Sequence, residues 1–259
     1  MEPSVPLISF IVAALNEESR IEGAVDTILR AVADVKLTDY EILLVNDGST
    51  DKTGEIMERL ASQDDRIRVL HNERNLGLGG VYKRGVAAAR GEYCMVIAGD
   101  NAASAESISV TLGHLGEADI IIPHVHNITE VRSLFRRIGS RGYTMLINLL
   151  FGLNVRYYNG AIARRALLNT ITLTGDGYSI FAELVVKLVS RGHSYVEIGV
   201  PFSPTPNTAR SSALRFRNVA IVVGSVFRLV RDIHFSRDRG RPQSSLPEEK
   251  PVRSETRIG

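Results

Sequence analysis

The residues best suited to chemistry are acidic or glycine-rich, and they fall in four places within the first 101 positions. Leu15-Asn16-Glu17-Glu18 brings two carboxylates and an amide to the end of an apolar run that starts at Leu7. Asn46-Asp47-Gly48-Ser49-Thr50-Asp51 follows a second apolar run, and Gly99-Asp100-Asn101 follows a third that ends in Ile97-Ala98. Between them lies Asn75-Leu76-Gly77-Leu78-Gly79-Gly80, with Lys83 and Arg84 close behind. A carboxylate such as Asp47 accepts hydrogen bonds from a base or ribose, and it equally builds a turn through neighbouring backbone. Glu17 and Glu18 suit a ligand, and they equally suit a helix N-terminus, where negative charge opposes the dipole. A divalent cation bridging two phosphates takes only one or two protein carboxylates, because phosphate oxygens and water complete its shell. Asp100 is the candidate for that ligand. The glycines let backbone amides approach a ligand, but the GxGxxG spacing of dinucleotide folds is absent.

These motifs need strands to present them. Leu7 to Ala13, Glu41 to Val45, Ile67 to Leu70, Glu92 to Ile97 and Asp119 to Ile122 read as strands rich in apolar residues. Helical patterns alternate with them: Ile21, Val25, Ile28, Leu29 and Val32 share one face, and further helices are expected over Lys52 to Ala61, Gly80 to Ala89 and Ala105 to Leu115. Such alternation predicts a mainly parallel sheet covered on both faces, with ligands at the carboxyl ends of its strands. Each motif falls at such an end. His124 and His126, just past the fifth strand, read either as a metal-binding pair or as loop residues without a third ligand.

After Pro123 the pattern turns helical. Arg132, Arg136, Arg137 and Arg141 precede an uncharged run of 14 residues, Gly142 to Val155, and a spanning helix needs about 20. A second uncharged run, Asn218 to Phe227, lies between Arg215 and Arg217 on one side and Arg228 and Arg231 on the other. Both segments suit a membrane interface, and both suit an ordinary buried helix.

The chain has 259 residues, 44% hydrophobic and 23% charged, enough for a substantial core. Residues 1–202 hold 20 Lys+Arg against 24 Asp+Glu, whereas residues 203–259 hold 11 against 5. The basic end favours anionic lipid or phosphate. A nucleic-acid partner is not expected, because the basic tail lacks interleaved aromatics and the body is acidic. Cys94, the single cysteine, sits in an apolar run and reads as an inert core thiol in a reducing cytoplasm. No leader pattern of a basic then apolar stretch opens the sequence.

Taken in order, the four motifs resemble those of family 2 glycosyltransferases with the GT-A fold. Asn148 to Val155, Tyr158-Asn159-Gly160, Asp176-Gly177-Tyr178 and Phe181-Ala182-Glu183-Leu184 are similar to the dolichyl- and polyprenyl-phosphate sugar synthase branch. The resemblance covers roughly residues 6 to 235. It implies an α/β GT-A domain over 1–202, with a mainly parallel sheet flanked by helices. A basic amphipathic C-terminal helix at 203–235 and a disordered tail at 236–259 would follow. It also implies inverting transfer of a sugar from a UDP- or GDP-linked donor to a lipid phosphate, with Mg2+ or Mn2+ as cofactor. Ala14, Asn16, Glu17, Asp47, Gly77, Lys83, Gly99, Asp100 and Arg210 then form the donor site. Asp100 holds the metal, and Asp100 and Glu183 are catalytic. Glu183 would orient the acceptor or act as base; its other reading is an ion pair with Lys187 one turn on. The implied location is cytoplasmic, peripheral on the inner face of a membrane, with self-association left open.

The chain departs from the family pattern at three points. Ala98-Gly99-Asp100 replaces Asp-x-Asp, so only the second metal carboxylate is matched. Pro204 to Leu214 offers Arg210 but has Ala213 where a lysine aligns, leaving Arg210 and Arg215 to substitute. The Gln-x-x-Arg-Trp segment of processive polymerases is missing, since there is no tryptophan. Two rival readings keep the fold: transfer to a soluble saccharide or peptide, and a nucleotide-binding scaffold in which Ala98 marks lost catalysis.

Overall fold

The computed structural model describes residues 7–125, 134–156, 160–175, 177, 179–201, 224, 226–231 and 233. Strands β1 (Ile8–Ala14), β2 (Tyr40–Asn46), β3 (Ile67–His71), β4 (Tyr93–Ala98) and β5 (Ile120–Val125) alternate with helices α1 (Ile21–Asp34), α2 (Thr53–Gln63), α3 (Gly77–Ala88) and α4 (Ala105–Leu112). Then come α5 (Leu134–Phe151), β6 (Ile162–Arg164), α6 (Arg165–Leu168), α7 (Ser179–Val189) and β7 (Tyr195–Val200). Every residue of β2 is buried, as expected of a strand covered on both faces. Helix α1 buries Ile21, Ala24, Val25, Ile28, Ala31 and Val32, the three-and-four spacing of one helical face.

The seven strands lie in the order β3-β2-β1-β4-β6-β5-β7, all parallel to their neighbours except β6. The chain moves outward from β1 to β3 and then returns to place β4 on the other side of β1. The carboxyl ends of β1 and β4 therefore form a switch point, where open α/β sheets bind ligands. One core, containing Ile11, Val45, Tyr82, Cys94 and Phe181, lies on one face of the sheet. A second, containing Phe10, Ile28, Ile42 and Ile108, lies on the other.

Two strands fall outside the sequence reading, which saw only helices after Pro123. Strand β6 has three residues, too few to show alternation, and β7 is an edge strand with Glu197 and Gly199 breaking its apolar run. Strand β6 pairs through Tyr93↔Arg164 and Cys94↔Ala163 on one side, and through Ile120↔Ala163 and Ile121↔Ile162 on the other. It bridges only the amino ends of β4 and β5. Helix α3 starts at Gly77, three residues before the expected Gly80.

No helix among the described residues is long and apolar enough to cross a membrane. Outside the described residues lie His126, Arg132, Tyr158, Asn159, Asp176, Tyr178, Arg210, Arg215 and Arg217, most of the expected 203–235 helix, and the tail.

Candidate active site

Two loops at the carboxyl edge are stitched together by side chains. Asn16 sits in the left-handed region with φ 56°, a conformation asparagine tolerates better than most residues. Its Oδ1 accepts the N–H of Thr50 at 2.8 Å, and its own N–H donates to Ser49 Oγ at 3.0 Å. The N–H of Glu17 donates to Thr53 Oγ1 at 2.7 Å, and that of Glu18 to Asp51 Oδ2 at 3.2 Å. The first two motifs thus form one unit. Asp51 is held below the usual carboxylate range: slight burial opposes this, but the Thr53 hydroxyl and the N–H groups of Thr53 and Glu18 outweigh it.

Asp47 is buried beneath this unit, its N–H bonded to the carbonyl of Ala14 at 2.9 Å. Its Oδ1 accepts from Asn72 Nδ2 at 2.7 Å and from the Leu76 N–H at 2.8 Å, and its Oδ2 accepts from the Gly77 N–H at 2.9 Å. A carboxylate has about four lone-pair positions, and two of the three used here serve the start of α3. This explains why α3 begins early: Asp47 satisfies amides that a helix N-terminus leaves without internal partners. Asn72, whose Oδ1 in turn accepts from Arg84 at 2.5 Å, is a site residue that the motifs did not reveal. A polar residue directly after β3 was the available signal.

Asp100 follows β4 and is half-buried, with Oδ1 accepting the Ala102 N–H at 3.1 Å. Gly99 makes this approach feasible, since a Cβ there would stand 2.8 Å from the Cβ of Ala14. Glu17 shares the neighbourhood of Asp100. Burial raises its pKa, the charges of Asp100 and Asp51 raise it further, and Arg20 opposes them. Arg20 reaches Glu17 Oε2 at 2.5 Å as an ion pair. Oxygen donors held close enough to repel one another suit a hard divalent cation. Among the described residues no group of three His, Cys, Asp or Glu could hold a metal by itself. Asp100 alone would fit a cation whose remaining ligands are supplied by a bound molecule or water.

Lys83 lies on α3, half-buried, two turns from Asp47's contact with Gly77. Glu183 lies elsewhere, buried in α7. Its Oε1 accepts from Lys187 Nζ at 2.6 Å, while the N–H groups of Thr174 and Gly175 donate to Oε2 at 3.1 and 2.8 Å. Burial raises its pKa, but the Lys187 hydrogen bond and those backbone amides leave it below the ordinary value.

The sequence profile described as Glycosyl transferase family 2 matches residues 9–172, which include all four motifs. The chain belongs to this family. EpsJ, an uncharacterized glycosyltransferase of Bacillus subtilis, is 45% identical over 97 residues, 38% of this chain and 27% of that protein. A dolichyl-phosphate beta-glucosyltransferase of Dictyostelium discoideum is 33% identical over 101 residues, 37% of this chain and 31% of the relative. The chain spans 27% to 40% of the length of four curated relatives that it matches, EpsJ among them. The GT-A fold of this family 2 chain is shared with glucosyl-3-phosphoglycerate synthase of M. tuberculosis, with TM-score 0.64 and 22% identity over 87% of this chain and 81% of that one.

Proposed function

We propose that this chain is an inverting glycosyltransferase that moves a sugar from a UDP- or GDP-linked donor to a polyprenyl or dolichyl phosphate at the cytoplasmic face of a membrane. The observation that carries the reading is Asp100 at the switch point, set against the end of β1 by the Gly99 N–H bond to Ala13 and next to the stitched Asn16–Thr53 loops. Relatives named dolichyl-phosphate beta-glucosyltransferases support the acceptor. Complexes of the synthase from M. tuberculosis with Mn2+ and UDP support the donor and the cofactor.

In the reaction, an acceptor oxygen attacks the anomeric carbon opposite the diphosphate, and the broken C–O bond's electron pair leaves with the diphosphate. Mg2+ or Mn2+ at Asp100 would supply neutralisation of the leaving charge. Lys83 and Arg210 are assigned to the donor's phosphates, and Ala14, Asn16, Glu17, Asp47, Gly77 and Gly99 to the walls that receive the nucleotide. A phosphate acceptor is already anionic, so a strong base is not required. Glu183, kept ionised by Lys187, is accordingly assigned to hold the Thr174–Gly175 segment on the acceptor side.

A second reading sends the same donor chemistry to a soluble acceptor, favoured by the complex of the synthase from M. tuberculosis with phosphoglyceric acid. Calorimetric titration with UDP and GDP, each with manganese and with chelator, tests the donor site. Metal-dependent binding of one nucleotide, abolished in Asp100→Ala, is expected; binding of neither would leave a scaffold as the remaining reading. Partition of labelled product into organic solvent separates the two acceptors.

A further inference from the structure

Helix α5 is apolar on two opposite faces. Tyr143, Ile147 and Phe151, spaced one turn apart, point inward and pack on the core that contains α7. Ile138, Met145, Leu146 and Leu149 lie on the outer side, with 59%, 72%, 45% and 78% of their surface exposed. Positions i, i+7, i+8 and i+11 form one stripe along a helix. An ordinary surface helix presents polar side chains there. The charge on this stripe is exposed Arg141, and α5 as a whole carries Arg136, Arg137 and Arg141 with no acidic residue.

Helical residues 226–231 repeat the arrangement beside it. Val226 and Leu229 face the same core as α5, and Tyr143, Val226, Arg228 and Leu229 line one small cavity. Phe227 points outward, 75% exposed, flanked by exposed Arg228 and Arg231. Two neighbouring helical segments therefore combine outward apolar side chains with arginines.

We propose that this outer surface docks on an anionic lipid bilayer, with Met145, Leu149, Ile138 and Phe227 entering the interface and the arginines meeting headgroup phosphates. Neither segment, over its described residues, is long and apolar enough to cross a membrane. Each lies along it, as amphipathic helices do when a basic polar side accompanies an apolar one. The charge decides between lipid and a second copy of the chain. A two-fold contact through this stripe sets each Arg141 close to the basic face of its partner, whereas anionic lipid complements it. The 11 Lys+Arg against 5 Asp+Glu of residues 203–259 add to the same attraction.

The inference rests on the membrane-face reading proposed above, but none of its residues is assigned to the donor site, so its failure and that of the donor reading are separable. The full chain is sedimented with vesicles of phosphatidylcholine alone and of phosphatidylcholine mixed with phosphatidylglycerol. The expected result is binding to the mixed vesicles that weakens as salt is raised. Met145→Ser with Leu149→Ser, neutral changes at exposed positions, should lower the bound fraction about tenfold. Arg141→Gln should weaken binding to the mixed vesicles alone. The melting temperature and nucleotide titration of both variants should match the parent, which separates docking from folding. No sedimentation with either vesicle, or equal sedimentation of the double-serine variant, would overturn the proposal. So would a dimer in sedimentation velocity that the double-serine variant converts to monomer.

Discussion

The carboxylate of Asp47, at the end of β2, accepts the N–H of Gly77 at 2.9 Å, and so joins the second acidic motif to the first turn of α3. Removing it strands the amide of Leu76 and the Nδ2 of Asn72, and leaves the Gly77 N–H only Asn75 Oδ1, at 2.8 Å. Asp47→Ala is expected to cost about 3 kcal/mol of stability. Asp47→Asn, which keeps one acceptor oxygen, should cost less. Urea denaturation of the three proteins measures both values, and a change below experimental error in the alanine variant would refute the cap.

Ala98 is exposed at the end of β4, two residues before Asp100. Ala98→Asp introduces a second oxygen donor where the surface tolerates it. Manganese affinity in the presence of nucleotide should rise about tenfold, since hard cations gain from added carboxylates. Calorimetry with manganese checks this; an unchanged affinity would mean that position 98 does not face the cation.

Glu183 and Lys187 form a buried ion pair. The folded pKa of Glu183 lies below its unfolded value of about 4.3. The native state therefore binds fewer protons between the two values. The resulting stability is complete above the unfolded pKa and is lost as pH falls through the folded one. Melting temperatures of the parent and Glu183→Gln should converge as pH drops from about 5 to about 3. Lys187→Met leaves a buried charge without its partner and should cost about 3–5 kcal/mol near neutral pH.

Burial pushes the Cys94 thiol up to about 12. The thiolate is the reactive form, so iodoacetamide at mildly alkaline pH should leave the native chain unmodified and label it fully in urea. Mass spectrometry reads the difference. Rapid labelling of the folded protein would contradict a closed core around β4.

The first half of this architecture was legible because its strands are buried on both faces and so read as continuous apolar runs. Their carboxyl ends then located Asn16, Asp47 and Asp100 on one edge. The internal role of Asp47 was not legible, since its partners Leu76 and Gly77 lie 29 and 30 residues away and only folding unites them. Glu183 shows both sides of the limit. Its pairing with Lys187 followed from helical spacing, whereas its bonds to Thr174 and Gly175 depend on how the preceding segment turns back.

Strand β6 joins β4 to β5 only at their roots, through Cys94, Ala163 and Ile120. Beyond those rungs no ladder joins the two strands among the described residues. The ladder is therefore broken at the edge where Asp100 lies, and how far it runs is set by the length of one short strand. Each residue added to β6 would extend the ladder by a rung, and each removed would shorten it. The reach of the ladder on that side is thus adjustable through backbone length alone, while Asn16 and Asp47, on the far side of β4, keep their places.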